Sequence, residues 1–90
     1  MEKIIVTVVG KDRVGIIAKV CTYLSEAQIN ILDITQTVVQ DIFNMMLIAD
    51  VAKSDIGFNE LQAELDKVAE NKGVLIKCQK EEIFTSMHRV

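Results

Sequence analysis

Lys3 to Val9 is an almost unbroken β-branched run that stops at Gly10, the pattern of a central strand. From Gly15 the period changes. Ile16, Ile17, Val20, Cys21, Leu24 and Ala27 fall on one stripe while Lys19, Thr22, Ser25 and Glu26 lie off it, which predicts a helix over Gly15 to Ala27 with one buried face. Gln28-Ile29-Asn30 breaks that helix. Ile31 to Gln40 and Ile42 to Val51 read as two antiparallel strands joined around Gln40-Asp41, where Asp tolerates the positive φ of a tight hairpin. A second helix is expected to start at Ser54 or Asp55, with Phe58, Leu61, Leu65 and Val68 recurring every three or four positions and Gly73 as its left-handed stop. Val74 to Lys80 is the last strand.

The order β-α-β-β-α-β, with right-handed crossovers, specifies an α+β fold: a ferredoxin-like sandwich with a four-stranded antiparallel sheet and two helices on one face. Two helices cover only one face, yet the third strand is apolar in both phases, with Phe43, Met45, Leu47 and Ala49 on one side and Ile42, Met46 and Ile48 on the other. The surplus calls for a partner, and in so small a domain a second copy is the simplest one, so a homodimer or a tetramer is expected. Residues 81–90 follow the last strand with Ile83, Phe84, Met87 and Val90 at helical spacing, which predicts a short helical tail docked on its own sheet or across the dimer.

Ninety residues, half of them apolar, suffice for a single domain over 1–90. No run approaches a membrane span and the first residues lack a secretory pattern, which places the chain in the cytoplasm as an expectation. Cys21 and Cys78 each fall in phase with apolar neighbours and read as reduced, buried core thiols. A net charge of −3, no basic stripe, and only Tyr23, Phe43, Phe58 and Phe84 as aromatics argue against direct nucleic-acid binding. Catalysis finds little to work with: the one histidine, His88, stands three residues from the end without a partner nucleophile or acid. The cysteines lack metal-ligand spacing and no Gly-rich loop matches a phosphate or dinucleotide fingerprint, so neither metal nor cofactor is expected. Glu60, Glu64 and Asp66 read as a solvated helix face.

The chemistry that remains lies in Val-Gly-Lys-Asp-Arg-Val-Gly-Ile-Ile, residues 9–17, where a strand hands over to a helix. The N–H groups of Gly15, Ile16 and Ile17 have no carbonyl one turn back, and the helix dipole favours an anion there. Asp12 can cap these donors or hold an ammonium group, and the second use suits the loop to a zwitterion such as an amino acid. Gly15 has an alternative use in close helix–strand packing, and Asn30 in satisfying backbone at the end of the first helix.

The loop Lys11-Asp12-Arg13-Val14-Gly15-Ile16, Asn30-Ile31 at the second strand, Asp33-Ile34-Thr35-Gln36-Thr37, and the hairpin with Phe43 and Met45-Met46 together resemble the ACT domain, a small regulatory module that binds amino acids and related metabolites. The ending Ile83-Phe84-x-x-Met87-His88-Arg89-Val90 resembles that of a bacterial and archaeal family of stand-alone single-ACT proteins, related to the ACT repeats of a glycine cleavage system regulator. The resemblance implies a regulatory protein, not an enzyme, with an amino acid or related small carboxylate bound between subunits. Asp12, Arg13, Gly15 and Ile16 of one chain would receive it, and Asn30 and Ile31 of the other would reach across. Many ACT domains carry Gly two residues before this Asn, where this chain has Gln28; the helix must then end with a non-Gly residue in the left-handed region or by another turn. The alternative function is a ligand-free module whose sheet face or tail docks on a metabolic enzyme or regulator.

Overall fold

A computed structural model of the chain describes residues 2–11, 14–70 and 73–81. Its elements are β1 (Lys3–Gly10), α1 (Val14–Glu26), β2 (Asn30–Val39), β3 (Ile42–Asp50), α2 (Phe58–Ala69) and β4 (Val74–Lys80). The four strands form one sheet in the order β2-β3-β1-β4, antiparallel at every joint. This is the ferredoxin-like arrangement expected from the hydrophobic pattern.

Alternate residues of the strands supply one apolar row each: Ile4, Val6 and Val8 of β1, Phe43, Met45, Leu47 and Ala49 of β3, and Ile76 and Cys78 of β4. These rows share a single cluster with Ile16, Val20 and Leu24 of α1 and Leu61 and Leu65 of α2, so both helices lie on the same face of the sheet. Burying each such aliphatic side chain stabilises the fold by about 1.5–3 kcal/mol before the cost of ordering it. Ile31 and Ile34 of β2 sit at an odd spacing that would send them to opposite faces. A register shift between Ile31 and Asp33 leaves Leu32 over as an extra residue, so Ile31 opposes Ala49 and Ile34 opposes Leu47, both on the helix side.

The turns show which residues bear the backbone strain. Gln40 (φ 49°) and Asp41 (φ 68°) both adopt positive φ, as the two-residue hairpin expected there requires. Gln28 has φ 62°, and around it the N–H of Gln28 bonds the Ser25 carbonyl (3.0 Å) while that of Ile29 bonds the Leu24 carbonyl (2.9 Å). That is a Schellman cap with a glutamine in the position glycine usually takes, fastened by the buried pair Leu24 and Ile29. At the top of β1, Gly10 approaches β4 so closely that a Cβ would lie 2.7 Å from the Gly73 carbonyl oxygen and 2.7 Å from the Val74 Cα; only glycine fits.

Three expectations are corrected. α2 begins at Phe58 with Gly57 at its N-cap, not at Ser54 or Asp55, because the Ser54 hydroxyl instead accepts the Ile56 N–H (3.3 Å) and folds the connecting loop. Gly73 is left-handed (φ 72°), but the helix has already ended at Ala69 with Glu70 as its cap, so this glycine turns the chain into β4. Both cysteines are free, and Cys78 is buried, whereas Cys21 is only half-buried because it lies at the margin of the α1 stripe. The helical tail falls outside the described residues beyond Glu81.

Among the described residues the second face of the sheet has no helix. It carries Thr7 and Val9 of β1, Asn44, Met46 and Ile48 of β3, Thr35, Thr37 and Val39 of β2, and Leu75 of β4. Val39 is 61% and Leu75 66% exposed. Ile5 on this face is nonetheless buried, flanked by Ile48 and Gln79 in register. No helix of the described residues is long and apolar enough to cross a membrane.

Candidate functional site

β1 delivers the chain to the top of the sheet at Gly10, beside Phe43 of β3 and Val74 of β4, and α1 starts back down from Val14. The helix thus opens one residue earlier than the apolar stripe implies. Its first N–H groups, those of Gly15 and Ile16 among them, have no acceptor within the helix, and no acidic side chain occupies the first turn. Gly15 lies on the exposed side of α1, so close packing against the sheet is not what calls for a glycine there. Ile16 is fully buried in the core, and only its N–H can serve a ligand. Asp12 and Arg13 lie outside the described residues.

Beside this opening is a cavity of about 300 Å3, lined by Lys11, Val38, Asp41 and Phe43. The Lys11 ammonium and the Asp41 carboxylate give it one group of each sign, while Val38 and Phe43 give it an apolar wall. Neither charged residue stood out in the sequence. Lys11 figures there only as the first residue of the loop motif, and Asp41 only as a turn residue; their convergence depends on the β2–β3 hairpin closing beside the β1–α1 loop.

Asn30 is elsewhere. It opens β2 at the bottom of the sheet, opposite Asp50, and β2 runs parallel to β1, so about 25 Å of strand separates Asn30 from the loop of its own chain. Its side chain is exposed and has no hydrogen-bond partner among the described residues, so the alternative use as a local backbone cap is not realised. The neighbouring Asp50 is committed otherwise: its carboxylate accepts the N–H groups of Ala52 (2.9 Å) and Glu2 (3.2 Å), and the Ala52 bond chiefly holds its pKa below the ordinary value. Ile31, next to Asn30, is half-buried against the core.

A second cavity of about 260 Å3 lies at the bottom of the sheet, between Glu2, Ser54, Phe58 and Lys80. There the Lys80 ammonium already rests 5.7 Å from the centre of the Phe58 ring, a cation–π contact that gives the lysine a role within the fold. The cavity at the loop end is lined by Lys11 and Asp41, for which no such contact within the fold is seen among the described residues.

Comparison with known proteins identifies the family and the fold. The ACT domain profile matches residues 2–79. A UPF0237 protein of Bifidobacterium longum is 53% identical over 90 residues, covering 100% of both chains. The solved structure of an ACT domain protein from Streptococcus pneumoniae superposes with a TM-score of 0.79 at 37% identity, covering 92% of this chain and 93% of that one. A proposed glycine cleavage system transcriptional repressor shares the fold, with a TM-score of 0.73 at 19% identity over 88% of this chain and 45% of its own. ACT is a regulatory type of domain, and every element that positions the loop, the hairpin and Asn30 lies within the matched span: the chain belongs to the ACT domain family.

Proposed function

We propose that the protein is a regulatory sensor that works as a homodimer and binds an amino acid at the subunit boundary. The observation that carries this reading is the polarity of the sheet. Asn30 and the β1–α1 loop occupy opposite ends of one chain, so a site using both must be built from two. Pairing two β2 edges antiparallel about a two-fold axis sets the bottom of one β2 beside the top of the other. The partner's Asn30 then stands next to Val38, Lys11 and the opening of α1.

In such a site the ligand carboxylate takes the Lys11 ammonium and the N–H groups at the start of α1, and the ligand ammonium takes Asp41, with Asp12 as a further acceptor. The amide of the partner's Asn30, able both to donate and to accept, closes the cavity. The ligand side chain rests on Val38 and Phe43. Ligand binding would thereby fasten one chain to the other, which is how a module without catalytic groups can signal.

Calorimetry with each of the common amino acids tests the reading. One or a few should bind; Asn30→Ala should weaken binding by about 1–3 kcal/mol and Gly15→Val should abolish it, both without change of fold. Binding unaffected by both substitutions, or no heat from any amino acid, overturns it. The second reading, a docking module without ligand, is favoured by the uncovered apolar face around Val9, Met46 and Leu75. It predicts no heat with any amino acid and loss of partner binding when Met46 and Leu75 are made polar.

A further inference from the structure

A sheet of four strands has two edges, here β2 and β4, and each edge ordinarily presents unpaired N–H and C=O groups to any strand that approaches. The two are treated differently. Over the middle of β4, Gln62 of α2 donates its Nε2–H to the Ile76 carbonyl (3.1 Å) and accepts the Cys78 N–H at Oε1 (2.7 Å). The other hydrogen of Nε2 goes to Asp66 Oδ1 (2.8 Å), one turn along the helix. Asp66 and the Ile76 carbonyl can only accept, and the Cys78 N–H can only donate, so the three bonds fix which way the amide faces. A primary amide that donates to one residue and accepts from the residue two further along a strand reproduces the bonding that the N–H and C=O of one residue make in an adjacent parallel strand. Lys77 and Lys80 add exposed charge to the same short strand.

Among the described residues no side-chain amide caps β2, whose one charge, Asp33, and one register shift both lie near its start. Its ten residues, Asn-Ile-Leu-Asp-Ile-Thr-Gln-Thr-Val-Val, include neither lysine nor proline, and Leu32, Ile34, Val38 and Val39 are exposed along it. An identical strand brought up antiparallel would bond it and shield those side chains, and the contact closes on itself.

We propose that Gln62 acts as a side-chain stand-in for a fifth strand, closing the β4 edge so that self-association runs only through β2 and stops at a pair. This rests on the β2 pairing proposed above. If both edges were open, each copy could add another at either side and the sheet would grow without limit.

Sedimentation velocity over a range of concentrations, together with amide hydrogen exchange at Cys78, tests it. Gln62→Ala keeps a good helix former but uncovers the edge; it should form species larger than the wild-type pair, increasing with concentration, and the Cys78 amide should exchange many-fold faster. Gln62→Glu loses the donor to Ile76 but sets a charge against any incoming strand. It should be less stable than wild type yet keep the wild-type mass, which separates an opened edge from mere loss of stability. Growth of Gln62→Glu equal to that of Gln62→Ala, or wild-type mass for a folded Gln62→Ala, overturns the proposal. Should Gln62→Ala fail to fold, Asp66→Ala loosens the amide without removing it: faster Cys78 exchange supports the cap, and unchanged exchange overturns it. A wild type sedimenting as one chain removes the β2 pairing alone, since Gln62→Ala would then be expected to pair through β4.

Discussion

Gln28 stands where many ACT domains carry glycine, and it adopts the left-handed backbone that a glycine there would allow. Its φ of 62° sits in the left-handed region, where a side chain costs on the order of 1 kcal/mol relative to glycine, and the Schellman bonds from Gln28 and Ile29 hold it there. Gln28→Gly should therefore stabilise the protein by about 0.5–1 kcal/mol in urea denaturation, since the relieved strain outweighs the added freedom of the unfolded chain. An unchanged or lower midpoint would show that the glutamine side chain earns its place by some contact of its own. The choice between a strained cap and a different turn was not decidable from the sequence, because both begin with the same break at Gln28-Ile29-Asn30. Asn30 itself was legible as a polar residue at a strand entrance. Lys11 and Asp41 were not legible as a pair, since nothing in a linear pattern brings residues thirty positions apart into one cavity.

Among the elements, β4 was read with its boundaries intact and α2 was not, for opposite reasons. β4 alternates between buried Ile76 and Cys78 and outward Leu75 and Lys77, a period that survives any detail of its neighbours. The start of α2 depended on which backbone groups Ser54 would serve, and the hydroxyl serves the loop. The packing of α2 over β4 also governs the chemistry of Cys78. Burial raises its thiol pKa from an ordinary 9.0 to about 11. Folding thus favours the protonated thiol, so this contribution to stability is complete below pH 9 and is lost as the pH climbs through about 11. At pH 8 a disulfide reagent should modify Cys21, on the margin of α1, promptly, and Cys78 only as fast as α2 lifts from the sheet. Stopped-flow labelling of Cys21→Ser and Cys78→Ser separates the two rates. Equal rates would mean that α2 does not protect β4 in solution.

At the scale of the whole molecule, the strand directions place Asn30 and the β1–α1 loop at opposite ends of one chain. In the two-fold pairing proposed above, each site would draw its two halves from different polypeptides, and damage to the halves would be separable. Gly15→Val and Asn30→Ala should each yield dimers with two spoiled sites. Unfold the two variants together and refold them at equal concentration, and random reassortment makes half of the dimers mixed. In a mixed dimer both lesions fall on the same site, leaving the other site wholly wild type, so about a quarter of the original binding capacity should return at full affinity. Titration calorimetry of the mixture reads that fraction directly, and no recovery would mean that each chain carries a complete site of its own. In a cell the same arithmetic makes these lesions complement one another when two damaged copies of the gene are expressed together, although neither functions alone.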